Sequence, residues 1–215
     1  MTELEDVQHT RNSYDEVAEL YATMFEHALD AMPFDRAMLS AFAELAPAGP
    51  VADLGCGPGR ITTYLATLGL DVFGIDLSPE MIRLARAAYP DLRFEVGSME
   101  NLALEDRSLA GIVSWYSIIH TPPERMPGIL AEFRRVLTED GHLLLAFQST
   151  ADPQAVHPHD HKVAQSFVWS PERIEELLRH GGFRTVARLV REPDPGQPAE
   201  KHQQACVLAA KSPAS

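Results

Sequence analysis

The sequence predicts an α/β fold: a seven-stranded, mostly parallel sheet with one antiparallel edge strand, helices on both faces and a helical segment at the N-terminus. Three observations predict it. From about residue 50 onward, short apolar runs of strand length alternate with stretches of helical periodicity. Glycines and Ser-Pro pairs punctuate the joins between them. The last two strand-like runs are linked by EPDPGQPAEKH, which is too short and too rich in proline for a crossover helix, so they pair as antiparallel neighbours.

Taken in order, the first helix spans Ser13 to about Asp30, where Val17, Ala18, Leu20, Tyr21, Met24, Phe25, Ala28 and Leu29 recur at helical spacing. A second follows Pro33, carries Met38, Leu39, Phe42 and Leu45, and stops at Pro47. VADLG is the first strand and ITTYLATLG a helix closed by Gly69. DVFGID is the second strand. Ser78 caps the helix PEMIRLARAAY, with Pro79 at its first position. LRFEVG and GIVSWYS are the third and fourth strands. PPERMPGILAEFRRVL is mostly helix, bent near Pro127 and Gly128, and GHLLLAFQS is the fifth strand. Ser170 and Pro171 open the helix ERIEELLRH, which stops at Gly181 and Gly182, and FRTVARLVRE and QACVLAAK are the final strands. No linker or repeat divides the chain, so 1–215 reads as one domain, a helical cap over 1–47 and an α/β core over 48–215. The longest irregular stretch, Ala151–Phe167, follows the fifth strand at the carboxyl end of the sheet, where ligands bind in open α/β folds.

Acidic residues number 31 against 18 basic ones, a formal charge of −13. Such a surface repels phosphate backbones and anionic headgroups, so neither nucleic acid nor a membrane surface is an expected partner. The start MTELEDVQHT lacks the basic and apolar regions of a signal peptide, and no apolar run approaches the roughly 20 residues of a membrane span. Cys56 and Cys206 have no metal-ligand spacing around them, which fits a reduced cytoplasmic setting. Oligomeric state, a homodimer included, is left open.

The strongest local signal is VADLGCGPGR, between the first strand and the first sheet helix. Gly55, Gly57 and Gly59 allow a tight turn whose N–H groups approach a ligand with no Cβ in the way. A dinucleotide fingerprint needs glycine three residues after Gly57, where Arg60 stands, so a nucleoside is the expected ligand rather than a pyrophosphate. Asp76 ends the second strand, 21 residues after Gly55, where a carboxylate accepts bonds from both hydroxyls of a ribose. The competing reading of Asp76, a helix-cap acid, is weakened because Ser78 already fills that role.

VADLGCGPG followed by GIDLSPEMI resembles the first two motifs of the class I S-adenosylmethionine-dependent methyltransferases, of the group called type 11 domains, over about Tyr14 to Phe147. The resemblance implies a Rossmann-like core with S-adenosylmethionine as cofactor. It implies that Gly55, Cys56 and Gly57 line the methionine part, that Asp76 binds the ribose, and that Asp53 holds the amino group directly or through water. Leu77 and Met81 would pack against adenine. VGSMENL is similar to a pattern that usually reads Gly-Asp-Ala; Ser98 and Met99 replace the acid and the alanine, leaving the serine hydroxyl or the Met99 N–H to meet the adenine amino group. YDEVAELY resembles a Tyr-x₃-Ala-x₂-Tyr pattern whose helix covers the cofactor as a lid, which brings in Tyr14 and Tyr21; read alone, the two are equally a core-facing aromatic pair.

Methyl transfer from a sulfonium is an in-line displacement with a good neutral leaving group, so alignment and exclusion of water dominate. A base is needed only where the acceptor must lose a proton. SWYSIIHTPPE follows the fourth strand, a loop that faces the transferable methyl in the family. Trp115 and Tyr116 would shape the cofactor and acceptor cleft, and His120 has a suitable intrinsic pKa for the base, its alternative being a capping or packing role. The run HKVAQSFVWSPERIEELLRHGGF resembles a segment that covers the acceptor cleft in small bacterial members, which adds His161 as a second catalytic candidate, with Phe167, Trp169 and, before the last strand, His202. HPHDHK hints at a metal through His157, His159 and His161, but it lacks ligand spacing and no metal is expected. The leading function is methylation of a hydroxyl, amine or carboxyl on a small-molecule acceptor, a secondary metabolite among the candidates. The alternatives are a protein that binds the cofactor for a regulatory or non-methylation role, and a dinucleotide-dependent oxidoreductase.

Overall fold

The computed structural model describes residues 4–159, 163–194, 196 and 200–213. It opens with α1 (Glu5–Phe25), a 3₁₀ turn at Ala28–Ala31 and α2 (Pro33–Leu45). The alternation then runs β1 (Pro50–Leu54), α3 (Arg60–Thr67), β2 (Asp71–Asp76), α4 (Pro79–Ala88), β3 (Arg93–Val96) and β4 (Leu109–Trp115). A second 3₁₀ turn, Ile118–His120, leads to α5 (Met126–Val136) and β5 (Leu137–Ser149). There follow β6 (Val156–His159), β7 (Ser166–Trp169), α6 (Pro171–His180), β8 (Phe183–Arg191) and β9 (Gln203–Lys211).

The sheet is Rossmann-like. β3, β2, β1, β4 and β5 lie side by side and parallel. Successive residues face opposite sides of a strand, and both sides are covered. Ile112, Leu143 and Leu145 pack under Phe133 of α5 and Leu178 of α6, whereas Val113 and Leu144 pack under Phe42 of α2 and Leu65 of α3. Hydroxyl caps start the helices as expected: Ser78 Oγ accepts the Met81 N–H at 3.1 Å and Ser170 Oγ the Arg173 N–H at 3.0 Å.

Several details differ from expectation. Seven strands form the main sheet, but β6 and β7 add a hairpin inside the stretch read as irregular, for nine among the described residues. Each is four residues long, too short for a period of two to stand out. The hairpin joins β5 through Ser149 and Trp169. Of the seven, the antiparallel strand is β9, and it is not an edge: it runs between β5 and β8, while an antiparallel edge is supplied by β6 of the hairpin. Its QQACVLAAK run is buried almost throughout and takes an interior place, while β8, exposed at alternate residues, takes the margin. Pro127 does not bend α5 but opens it at the first turn, where its missing N–H costs nothing. α1 begins at Glu5, two turns earlier than its apolar spacing suggests.

Because β1, β2, β3 and β4 are parallel, their carboxyl ends at Leu54, Asp76, Val96 and Trp115 meet along one edge. α1 crosses that edge and packs on α4.

Candidate active site

Gly55, Gly57 and Gly59 all have positive φ, at +76°, +54° and +89°. Gly55 allows no side chain, since a Cβ there would lie 2.2 Å from Ser117 Cβ. Gly57 meets nothing within 4 Å, so its bare Cα borders open space. The Asp76 carboxylate turns toward this bend: Oδ2 accepts the Gly57 N–H at 2.7 Å and Oδ1 accepts the Ser78 N–H at 2.8 Å. Burial raises its pKa, and the two N–H bonds oppose the rise. The bend and the acid thus converge, as the nucleoside reading requires.

They open onto a cavity whose empty space, together with the open solvent at its mouth, is about 850 Å³. Tyr14, Tyr21, Gly55, Gly57, Asp76 and Leu77 line it. So do Met81, Ser98, Met99, Trp115 and His120. Ser98 Oγ accepts the Glu100 N–H at 3.2 Å, so its own proton is still available to donate.

Two expected lining residues sit elsewhere. Cys56 points its sulfur into a small apolar cluster with Ile82, Ala85 and Phe94, seated over Gly74, where a Cβ would come within 2.6 Å of it. Burial pushes its thiol pKa well up. Asp53 is fully buried under the loop; Thr62 Oγ1 donates to its Oδ2 at 2.7 Å, and Oδ1 has no partner among the described residues. Burial drives the Asp53 carboxyl up to about 7 against the pull of Thr62. Arg60 Nη1 and Trp115 Nε1 are also buried with no hydrogen-bond partner among the described residues. The Arg60 charge is felt at Asp53, and Trp115 lies two residues beyond Val113, the cross-strand partner of Asp53. An orphaned acceptor and two orphaned donors are what a ligand carrying both an ammonium and a carboxylate would satisfy.

α1 roofs the cavity. Tyr14 Oη lies 2.7 Å from His120 Nε2, and His120 Nδ1 lies 2.8 Å from the Gln165 carbonyl oxygen. Tyr21 meets the Tyr14 ring edge-on at 6.0 Å. The first two turns of α1, outside the expected helix, add Asp6, Val7 and Thr10 to the lining. Arg125, also in the wall, pairs with Asp6 and, at 3.4 Å, with Glu100. No sequence signal marked these residues, because Val7 is the one apolar side chain in EDVQHTRNS. Tyr116 also lines the cavity, at a positive φ of 55° that is unusual for so large a residue.

His161 lies outside the described residues. Trp169 is wholly in the core, Phe167 packs against that core, and neither lines the cavity. His202 faces His159 at 3.4 Å instead of the cavity. Among the described residues no group of three or more His, Cys, Asp or Glu is placed to hold a metal, and no helix is long and apolar enough to cross a membrane.

A family profile described as a methyltransferase domain matches residues 51–141, which hold both the glycine bend and Asp76. An uncharacterised methyltransferase of Mycobacterium tuberculosis is 31% identical over 161 residues, 74% of this chain and 58% of that protein. A ubiquinone biosynthesis O-methyltransferase of Xanthomonas oryzae is 32% identical over 124 residues, 56% of this chain and 50% of that protein. The chain thus spans little more than half the length of these curated relatives. In fold, it is similar to the crystal structure of a Burkholderia thailandensis 1,6-didemethyltoxoflavin-N1-methyltransferase, with a TM-score of 0.67 at 23% identity over 94% of this chain and 91% of that one. Residues 51–141 thus match a methyltransferase domain, and the fold that carries its two motifs is the class I S-adenosylmethionine-dependent methyltransferase fold.

Proposed function

We propose that this chain holds S-adenosylmethionine in the cavity beneath α1 and directs its methyl group to a hydroxyl, amine or carboxyl of a small molecule. The observation that carries the reading is the convergence of Asp76 and the Gly57 N–H on one open space. When bound, the cofactor supplies an electrophilic methyl on a sulfonium.

Asp76 keeps lone pairs beyond those used by Gly57 and Ser78, and these accept the two ribose hydroxyls. Leu77 and Met81 form an apolar wall for the adenine, with Ser98 and Met99 at its polar edge. Asp53, buried beneath the bend, meets the ammonium through water, and the Trp115 donor in the cavity wall suits the carboxylate. Tyr14 and Tyr21 close the site from above and exclude water. His120 is the base where one is needed, and His161 stands as a second candidate from sequence. A small acceptor is supported by the relatives, whose names speak of ubiquinone biosynthesis and of a didemethyltoxoflavin, and by a net charge of −13, which disfavours polyanions.

The test is a mass-spectrometric screen of small hydroxyl, amine and carboxyl compounds with S-adenosylmethionine. At least one should gain a single methyl with the wild type and at most a few per cent as much with Asp76→Ala. Equal product from the folded variant would place the chemistry outside this cavity.

A further inference from the structure

Tyr14 and His120 come from distant parts of the chain and meet at the cavity wall, 2.7 Å apart. On the far side of the imidazole, Nδ1 lies 2.8 Å from the Gln165 carbonyl oxygen. A carbonyl only accepts, so Nδ1 carries a proton; in the neutral ring Nε2 is then the acceptor, and the Tyr14 hydroxyl donates to it. The lone pair that would make His120 a base is therefore covered by Tyr14. A proton from the cavity reaches it by way of the tyrosine oxygen.

We propose that Tyr14 and His120 form a proton relay that deprotonates a neutral hydroxyl acceptor during methyl transfer, complete only when α1 is docked. The inference rests on the methyltransferase reading above and narrows its acceptor class. As the acceptor oxygen forms its bond to the methyl carbon, the methyl–sulfur bond breaks and its electron pair stays on sulfur. The acceptor proton passes to Tyr14 Oη while the tyrosine's own proton moves to His120 Nε2. The positive charge lost at sulfur reappears on the imidazolium, whose Nδ1–H is held by Gln165. Solvent takes the extra proton when α1 lifts.

The surroundings favour this over the other two acceptor classes. Among the described lining residues, Asp6 on α1, Asp76 at the end of β2 and Glu100 after β3 face the cavity with the cation Arg125 before α5 and the phenols Tyr21 and Tyr116; Arg11 and Asp15 of α1 contact its rim at Leu77 and Ser78. Three carboxylates and one guanidinium stabilise an imidazolium and repel an acceptor that arrives as a carboxylate. A carboxylate, or an amine in its free-base form, also needs no proton removed before it attacks. Burial, then Tyr21 and Asp76, keep the Tyr14 pKa well above that of an ordinary phenol, so the tyrosine passes a proton without resting as an anion.

Two readouts on the full chain test the relay, one with S-adenosylhomocysteine bound for spectroscopy and one with S-adenosylmethionine for turnover. In ¹⁵N-histidine NMR, the signal assigned to His120 by its loss in His120→Asn should show the Nδ1–H tautomer, and Tyr14→Phe should move its Nε2 resonance toward that of a free acceptor nitrogen. The opposite tautomer, or no response to Tyr14→Phe, overturns the proposal whether or not an acceptor is known. In kinetics, with phenols of graded acidity as probe acceptors, each single variant should lower kcat about 10²–10⁴-fold for weakly acidic phenols and only a few-fold for those already ionised. KM should change little, and the double variant should be no slower than either single one. Multiplicative losses, or losses independent of phenol acidity, contradict a relay. Titration of the same variants with S-adenosylmethionine separates the readings. Loss of affinity in Tyr14→Phe makes Tyr14 a cofactor contact instead, and absence of binding in the wild type removes the methyltransferase reading itself.

Discussion

At the scale of single residues, Asp53 carries a definite sign. Its folded pKa of about 7 stands above the ordinary 3.8, so the ionised form is the penalised one. Its contribution therefore favours the folded state at low pH and is lost as pH rises between those two values. A bound ammonium reverses the preference by stabilising the carboxylate, so ligand binding releases a proton near neutrality. The affinity for S-adenosylhomocysteine should rise by up to about tenfold per pH unit below pH ~7 and level off above it. Calorimetry across that range, in buffers of different ionisation enthalpy, checks this, and Asp53→Asn should flatten the profile. The glycines make a second prediction. Gly57→Ala places a Cβ in the cavity at a φ of +54°, which costs about 1–2 kcal/mol of strain. It should lower Tm by only a few degrees yet weaken S-adenosylhomocysteine binding more than tenfold. Gly55→Ala must displace Ser117 and should lower Tm well beyond that. Scanning calorimetry ranks the two.

These residues were legible because their demands are on the backbone: a positive φ leaves few choices but glycine, and an acid ending β2 has a fixed spacing from the bend. Cys56 was not. Its direction depends on how Gly55 turns the chain, and the notch that receives its sulfur belongs to Gly74, on another strand.

Among the α-helices, α1 is the one held least by its core. Ala18 is its sole buried residue, and Leu20 and Met24 are 63% and 66% exposed. Polar contacts hold it instead: Asp15 accepts from the Ser78 hydroxyl at 2.5 Å and the Glu80 N–H at 3.2 Å, Arg11 Nε donates to the Leu77 carbonyl at 3.2 Å, and Asp6 pairs with Arg125. Helices docked this way open locally at small cost. Backbone hydrogen exchange should therefore be faster in 5–25 than in β4 or β5, and S-adenosylhomocysteine should slow it. Arg125→Ala should quicken it further with little change in global Tm, since the pair is partly exposed. Exchange in α1 as slow as in β5 without ligand would show a fixed roof. The same packing explains why the helix start was misplaced: a roof held by ion pairs and hydrogen bonds has no apolar stripe in its first turns, so periodicity begins only where Val17 and Ala18 approach the core. The β6–β7 hairpin escaped because strands of four residues are too short for a period of two to stand out.

At the scale of the molecule, the parallel sheet followed from local patterns because each strand–helix–strand crossover has one favoured hand and buries both faces. The place of β9 did not follow, since antiparallel pairing with β8 leaves open which of the two meets β5. Burial decided it: the strand with eight consecutive buried residues went inside. What the topology builds is one edge where four strand ends meet beneath α1, and the account depends on an adenosyl group filling that space.

Isothermal titration of the folded chain with S-adenosylhomocysteine tests this most directly. One site in the micromolar range is predicted, with Asp76→Asn weakened by about 10–100-fold, the worth of a hydrogen bond or two to a charged group. No heat from folded wild-type protein, or equal affinity in the two forms, would contradict it.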